Sequence, residues 1–316
     1  MSHDAAKQNA IERAWNWFFY EGYCADSLGA LRALFGGGLL LYHISQFPHV
    51  LILDPTGARA QFIEPIWYFE FLGITTHIPW LNIPIFLIMM AATVCFMIGK
   101  WTKPSILLMV ICIFYLKGVR DSFAGDVHHR YLVPVTMLFF FYFSKCNYRF
   151  ALDAKKFRDL KVEEWEASWA IRASQAYILM FYFWAMIAKL RVSGWDWFSP
   201  AGKIQSKLIE RSLRSGFGED GEIIRRAYAF DLAEHIWIVF TFGLFVAIFE
   251  LLAPLVMFVR KKWVTIFFLI GATCFHIANY VLLNVQFFIY PIVFFAFFNM
   301  AWFARKYNKD SPIPIN

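Results

Sequence analysis

The stretch VTIFFLIGATCFHIANYVLL, residues Val264–Leu283, is the clearest indication of the fold class. It runs for 20 residues without an aspartate, glutamate, lysine or arginine. A helix needs roughly 20 consecutive, mostly apolar residues to cross the hydrocarbon core of a bilayer. The stretch therefore predicts a transmembrane helix that carries His276 and Asn279 in its interior.

Seven further apolar stretches flank or precede this one. They are Leu28–Phe47, Ile83–Ile98, Pro104–Leu116, Tyr131–Phe143, Trp169–Ala188, His235–Val259 and Val285–Phe303. Several are short, so we expect tilted helices or helices that extend into flanking polar residues. The pattern predicts an all-α, polytopic transmembrane bundle of about eight spans, with no separate soluble domain.

The overall composition supports a membrane protein. Hydrophobic residues make up 59% of the chain and charged residues 17%, against about 45–50% and about 25% in soluble domains. The formal net charge of the chain is +7. Such an excess of basic residues is typical of membrane proteins whose cytoplasmic loops are rich in lysine and arginine. No basic stripe with interleaved aromatic residues occurs, which argues against nucleic-acid binding.

The distribution of basic residues predicts the orientation. Basic clusters such as Lys155-Lys156 and Arg260-Lys261-Lys262 fall in alternate loops, and cytoplasmic loops are enriched in lysine and arginine. We therefore expect both termini in the cytoplasm, with the basic loop Arg191–Asp231 as an exception on the outer side. The pattern of residues 1–25 predicts an amphipathic segment at the membrane interface rather than a signal peptide. Residues 304–316 are expected to form a polar C-terminal tail.

The cysteines and glycines favour structural roles. The five cysteines lie far apart without a CxxC pair, so we expect buried free thiols and neither a disulfide framework nor a metal cluster. The cluster Gly36-Gly37-Gly38 lies inside an apolar stretch. It lacks the strand–loop–helix context of a nucleotide-binding loop, and close helix packing is the favoured interpretation.

A few ionisable residues lie in or beside the predicted spans, where charge is costly and marks candidate functional sites. They are Arg32, His128, His129, Lys189, Glu250 and His276. Each also has a structural interpretation. Lys189 can act as an interfacial anchor, Glu250 can pair with Arg32 or Arg260, and His276 can bond to a backbone carbonyl. His128 and His129 can be ordinary interfacial residues, and Arg32 can be an ion-pair partner in helix packing.

The predicted orientation gathers several of these residues near the outer leaflet. Lys189 ends an outward-running span, while His128 and His129 open an inward-running one. His276 and Asn279, three residues apart, share one face of their helix. Apolar neighbours disfavour the charged form of a lysine and so lower its pKa. A lysine with a lowered pKa can act as a general base near neutral pH.

Five motifs occur in order along the chain. They are DSLGALRALFGG at 26–37, VHHRYL at 127–132, NYRFALDA at 147–154, FYFWAMIAKLRVSGWDWFSP at 181–200 and HIANYVLLNVQFFIY at 276–290. Together they resemble the membrane domain of the vitamin K-dependent γ-glutamyl carboxylases, the HTTM (horizontally transferred transmembrane) family. The resemblance covers Asp26 to Phe303, so it implies one transmembrane domain over residues 26–303.

The resemblance implies roles for individual residues. Lys189 falls where the carboxylases keep the base that deprotonates reduced vitamin K, and His129 falls on the histidine that assists catalysis. Cofactor-binding, pocket-lining positions are implied at His128, Tyr131, His276 and Asn279. The polar residues expected to be structural are Arg32, Asp153 and Glu250.

The resemblance also implies a chemistry. A hydroquinone of the vitamin K or menaquinone type is deprotonated and reacts with O2, and the resulting strong base removes the γ-proton of a peptidyl glutamate. CO2 then adds to the carbanion and the quinone leaves as its epoxide; no metal takes part. The expected partners are membrane lipid, the quinone and a glutamate-containing peptide or protein. The expected location is the inner membrane of a bacterium, with the active site toward the outer face.

Some features depart from the family pattern. The family's Lys-Lys pair is Ala188-Lys189 here, and the large C-terminal domain of the animal enzymes has no counterpart in the 316 residues. The alternative hypothesis is therefore a non-catalytic membrane factor for peptide or toxin maturation, export or immunity. A transporter is less favoured, because no internal repeat is found.

Overall fold

The computed structural model describes residues 12, 15–16, 22–52, 62, 64–124, 131–157, 159–214, 227–259, 261–283, 285, 287 and 289–300. Within these ranges the chain forms α-helices and short 3-10 segments and no β-strand. The helices are α1 Ala25–Ile52, α2 Trp67–Phe71, α3 Asn82–Ile98, α4 Thr102–Ala124, α5 Leu132–Phe143, α6 Glu164–Ser193, α7 Lys203–Arg214, α8 Ala227–Glu234, α9 Ile236–Leu252, α10 Lys262–Leu283 and α11 Tyr290–Val293. The predicted all-α class is confirmed.

Five of the described helical stretches are long and apolar enough to cross a membrane: Ala25–Phe47, Pro79–Ile98, Glu164–Trp197, Ile236–Phe258 and Lys262–Leu283. The other predicted spans fall on α4, on α5 with its 12 residues, and on a partly described stretch near the C-terminus. The multi-pass character of the chain is confirmed, and the count of eight spans stays a prediction.

Apolar side chains point outward from the candidate spans. On α9 these include Trp237, Phe245 and Ile248, and on α10 Trp263 and Phe267, each about half exposed or more. A soluble protein rarely exposes a contiguous apolar surface of this kind. Lipid is therefore the natural neighbour of these helices.

The chain divides into two compact units, residues 1–174 together with 292–316, and residues 175–291. In the first unit, the glycine cluster of α1 lies against α3. A Cβ atom added at Gly36 would lie 2.9 Å from the Cα atom of Met97, and one added at Gly38 would meet the side chain of Ile292. The prediction that these glycines allow close helix packing is confirmed.

The second unit contains the C-terminal part of α6 and helices α7 to α10. Pro254 lies where the α-helical geometry of α9 gives way to a 3-10 segment, Ala253–Phe258. Proline lacks the N–H that continues a helical hydrogen-bond pattern, which accounts for the change. The amphipathic helix α7 buries Leu208 against Ala229 and Ala233 of α8 and against Val239 of α9.

The five cysteines carry free thiols, as predicted. Cys112 and Cys146 are buried, whereas Cys274 is exposed on α10, so the expectation of burial holds for only some of them. Several predicted features lie outside the described residues: the polar tail 304–316, most of the interfacial segment 1–25, His128, His129 and Arg260.

Candidate functional site

The second unit holds a buried ion pair between α6 and α9. The ammonium group of Lys189 donates hydrogen bonds to both carboxylate oxygens of Glu250. The Glu250 side chain is 1% exposed and that of Lys189 is 21% exposed. This pairing differs from the expectation that Glu250 pairs with Arg32 or Arg260. It also gives Lys189 a charged partner in place of purely apolar neighbours.

Aromatic rings surround the ammonium group. The Nζ atom of Lys189 lies 5.8 Å from the ring centre of Trp197 and 5.9 Å from that of Phe275. Both distances are within the range of cation–π attraction. Burial of the Glu250 carboxylate, 1% exposed, strengthens the electrostatic interaction of the pair.

A second polar pair lies deeper in the same unit. The Oη atom of Tyr182 and the Nε2 atom of His276 share a hydrogen bond of 2.6 Å, whose direction depends on the tautomer of the histidine. The rings of Phe287 and Tyr290 lie 5.2 and 4.7 Å from the His276 ring. Tyr182 is 2% exposed and His276 is 8% exposed, so both polar groups are buried.

Phe275 joins the two polar pairs. Its ring contacts the Lys189 ammonium on one side and lies 6.3 Å from the Tyr182 ring on the other. Tyr182 and Lys189 are seven residues apart on α6, which is close to two helical turns and places them on one face. The ion pair and the Tyr182–His276 pair therefore form one polar cluster within an aromatic shell.

An apolar groove of about 320 Å³ lies beside this cluster, between α9, the Ala253–Phe258 segment and α10. Phe249 and Phe268 line it and stack on each other with ring centres 5.2 Å apart. The same two rings contact Tyr182 at 5.9 and 5.6 Å. The wall of the groove is thus also the wall of the polar cluster.

Asn279 lies one turn beyond His276 on α10 and is half-buried. Its backbone carbonyl accepts a hydrogen bond from the N–H of Val285. His276 and Asn279 both lie on α10, and their three-residue spacing places them on one face of that helix. The hydrogen bond from Val285 to the Asn279 carbonyl lies at the C-terminal end of α10.

Arg32, in the first unit, is fully buried. Its guanidinium donates to the backbone carbonyls of Phe96, Met97, Cys146 and Phe150. We expected an ion pair for this residue. The structure instead gives it carbonyl acceptors at the C-terminal end of α3 and in the loop after α5, where helix-end carbonyls lack intrahelical partners.

Asp153 holds the turn between α3 and α4. Its Oδ2 atom accepts a hydrogen bond of 2.6 Å from the N–H of Trp101, and its Oδ1 atom lies 3.1 Å from the Nζ atom of Lys156. The backbone at Gly99 and Trp101 has φ of 73° and 50°, a left-handed conformation that is costly for tryptophan. The Asp153 contact therefore stabilises an unfavourable backbone geometry.

The structure predicts a pH effect at Asp153. Partial burial works against the ionised carboxylate, but the Trp101 N–H and Lys156 outweigh it, so the pKa of Asp153 lies below its usual value. A lowered pKa contributes stability above the unfolded-state pKa, and this is lost as pH falls below about 4. We expect Asp153→Asn to cost about 0.5–1 kcal/mol at pH 7 and the difference from the unmodified protein to become smaller as pH falls below about 4.

Thermal unfolding of detergent-solubilised protein at both pH values measures this effect. The exposed Asp159 in the same loop provides the matched control, Asp159→Asn, which should stay within about 0.5 kcal/mol at both pH values. An Asp153→Asn penalty that is equal at pH 7 and pH 3 would contradict the ionised-carboxylate explanation.

Tyr131 lies just before α5, and its ring contacts that of Tyr42 at 5.7 Å. Among the residues that the structure describes, Lys189, Glu250 and His276 come together in the second unit, while Arg32, Tyr131 and Asp153 belong to the first. Tyr182 and His43 of α1 are buried polar residues that were not predicted from the sequence. The seven-residue spacing to Lys189 was the available signal for Tyr182.

These features define a polytopic helical membrane protein with a buried polar cluster beside an apolar groove. The chain belongs to the HTTM domain family, whose model matches residues 20–302. Comparisons with curated proteins and with solved structures found no match. HTTM domains are found in proteins related to the vitamin K-dependent carboxylases, and this chain is an integral membrane protein related to that family.

Proposed function

We propose that this protein is a membrane enzyme that uses a reduced quinone, O2 and CO2 to carboxylate peptidyl glutamate, or carries out a related quinone-epoxidising reaction. The Lys189–Glu250 pair carries this proposal. A buried charge inside a membrane span is expensive and marks a functional site. In this pair the Glu250 carboxylate is 1% exposed, and the rings of Trp197 and Phe275 lie within cation–π distance of the ammonium.

The groove between α9 and α10 is lined by apolar side chains, which supports an apolar molecule such as a quinol as its occupant. The polar groups proposed for the quinol oxygens are the Tyr182–His276 and Lys189–Glu250 pairs, which lie beyond the Phe249 and Phe268 rings. When bound, a reduced quinone supplies the reducing electrons that activate O2. Lys189 removes a hydroxyl proton at its Nζ atom, while Phe275 and Trp197 keep water away from the reacting groups.

The remaining roles rest on the family resemblance. It implies that His129 assists Lys189, and it implies cofactor-binding roles for His128, Tyr131, His276 and Asn279. Arg32 and Asp153 stabilise helix ends and loops of the first unit. The protein lies in a bacterial inner membrane with both termini in the cytoplasm and the site toward the outer face. A quinone that diffuses in the bilayer can then reach the site without crossing water.

Replacement of Lys189 tests the proposal. The protein in detergent or lipid nanodiscs is supplied with reduced vitamin K or menaquinol and O2, and epoxide is measured by mass spectrometry of the lipid extract. We expect Lys189→Ala to lower the rate about 100-fold or more, because loss of a positioned acid–base group has effects of this size. The exposed Lys203 of α7 gives the control Lys203→Ala, which should retain the full rate.

The result depends on the variant being folded, so thermal unfolding is recorded for each protein. A folded Lys189→Ala variant with the full rate of epoxide formation would overturn the proposal. Carboxylation is then tested separately, by incorporation of labelled CO2 into glutamate-containing peptides.

One observation favours a second candidate, a non-catalytic membrane factor for peptide or toxin maturation, export or immunity. The ammonium of Lys189 donates to both carboxylate oxygens of Glu250, as it would in a purely structural ion pair. This candidate predicts a co-purifying peptide partner and no quinone in an organic extract of the purified protein. The enzyme predicts the reverse.

A further inference from the structure

We propose that Glu250 is a positioning residue that takes up the proton which Lys189 removes, so that the two side chains act as one proton-transferring pair. This inference deepens the proposed function and rests on it. The Glu250 carboxylate on α9 is then the group that finally holds the proton, and Lys189 transfers the proton from the substrate to it.

The geometry of the pair carries the inference. Lys189 Nζ donates to both Oε1 and Oε2 of Glu250, so its protons are directed at an acceptor. The carboxylate is 1% exposed, and bulk water does not compete for it. The other described titratable groups of this cluster are Tyr182 on α6, His276 on α10 and Tyr290, whose ring packs against His276; Tyr182 and His276 are hydrogen-bonded to each other.

An ammonium group has no lone pair and cannot accept a proton. Lys189 therefore first gives a proton to Glu250: an N–H bond breaks, an O–H bond forms, and the electron pair stays on Nζ. The Nζ atom then takes the proton of a substrate hydroxyl, whose O–H electron pair stays on the oxygen. One proton has moved from the hydroxyl to the Glu250 carboxyl, and neither an oxidant nor a reductant is needed.

The charges favour this route over an unpaired lysine. Before the transfer the pair carries no net charge, which limits the cost of burial in a low-dielectric site. After the transfer Lys189 is an ammonium beside a neutral Glu250, and it faces the negative charge left on the substrate oxygen. Opposite charges in contact attract strongly where water is excluded, so the pair stabilises the product of deprotonation.

A lone-lysine base and the relay predict opposite results for Glu250→Gln. If Lys189 worked alone, removing the carboxylate would free the amine and the rate would be kept or raised. The relay predicts a fall in kcat of about 100-fold with little change in KM, because the amide of a glutamine side chain does not take up a proton as a carboxylate does. Glu250→Asp keeps a carboxylate and should recover at least about a tenth of the rate, within the range of acid–base effects.

Infrared difference spectroscopy supplies a readout other than turnover. Reduced quinone is added without O2, and the C=O stretch of a protonated carboxyl group is followed. We expect this band in the unmodified protein and its absence in Glu250→Gln. The exposed Glu234 of α8 provides the control Glu234→Gln, which should keep both the band and the rate.

The outcomes separate the two proposals. In one outcome, the unmodified protein shows the carboxyl band without O2 and yet forms no epoxide when O2 is supplied. This result supports proton uptake by Glu250 and overturns the proposed oxygen chemistry. An active Glu250→Gln variant that keeps the band, or keeps the full rate, overturns the relay and leaves the proposed function standing. Folding of each variant is checked by thermal unfolding, and Glu250→Asp serves if Glu250→Gln does not fold.

Discussion

Arg32→Met is expected to lower the free energy of unfolding by about 3 kcal/mol or more, since a buried hydrogen bond to a charged group contributes about 1.5–3 kcal/mol. The guanidinium supports the carbonyls of Phe96, Met97, Cys146 and Phe150 at once. Methionine keeps a similar apolar volume but leaves these carbonyls without the donor. No water is available to replace it, because Arg32 is 0% exposed.

The measurement is thermal unfolding in detergent, where we expect the midpoint to fall by roughly 6 °C or more. Arg32→Lys should restore only a small part, because a lysine ammonium lacks the planar fork that reaches acceptors on separate segments. Arg191→Met, at an exposed position in the last turn of α6, should shift the midpoint by less than about 2 °C. Equal shifts for Arg32→Met and Arg191→Met would contradict a structural role for the buried hydrogen bonds.

Helix positions could be predicted from sequence because the signal for a transmembrane helix is local. The predicted span Val264–Leu283 agrees with α10, Lys262–Leu283, because about 20 consecutive apolar residues without charge are themselves the signal for a spanning helix. The predicted span His235–Val259 likewise agrees with the candidate span Ile236–Phe258. The change of helix type inside it was not predicted: the α-helix ends at Leu252 and a 3-10 segment follows, because Pro254 changes the hydrogen bonding without changing the hydropathy.

The partners of the buried charges could not be predicted in the same way. Lys189 and Glu250 were both recognised as costly, but they are 61 residues apart, and hydropathy does not say which helices pack together. Arg32 was expected to form an ion pair, but its partners are backbone carbonyls. Backbone carbonyls are present at every helix end, so the sequence carries no specific signal for an arginine that binds them.

The Lys189–Glu250 pair predicts the second large effect on stability. Lys189→Met leaves a carboxylate that is 1% exposed without its cation, and removing one partner of a buried ion pair costs about 3–5 kcal/mol. Glu250→Leu leaves the Lys189 ammonium without its carboxylate among apolar side chains and should cost a comparable amount.

The double variant Lys189→Met/Glu250→Leu distinguishes coupling from simple loss of packing. With both charges removed, no uncompensated charge remains, and replacing a buried ion pair by apolar residues is often neutral or stabilising. We expect its unfolding free energy to lie within about 1 kcal/mol of the unmodified protein, a non-additivity far above the scatter of about 0.5 kcal/mol for independent sites. Thermal unfolding of the four proteins measures this cycle.

The more accessible pair Lys207–Glu210 on α7 is the matched control, with side chains 43% and 32% exposed. Its cycle, Lys207→Met with Glu210→Leu, should show a coupling below about 1 kcal/mol, because water screens the charges and the side chains lose entropy when they meet. If the Lys189–Glu250 cycle were additive instead, the two side chains would not depend on each other for burial. The double variant should also make no epoxide, because it lacks both the relay and the acceptor while keeping the fold. Stability would then be restored without activity, which separates the structural contribution of the pair from its proposed part in proton transfer.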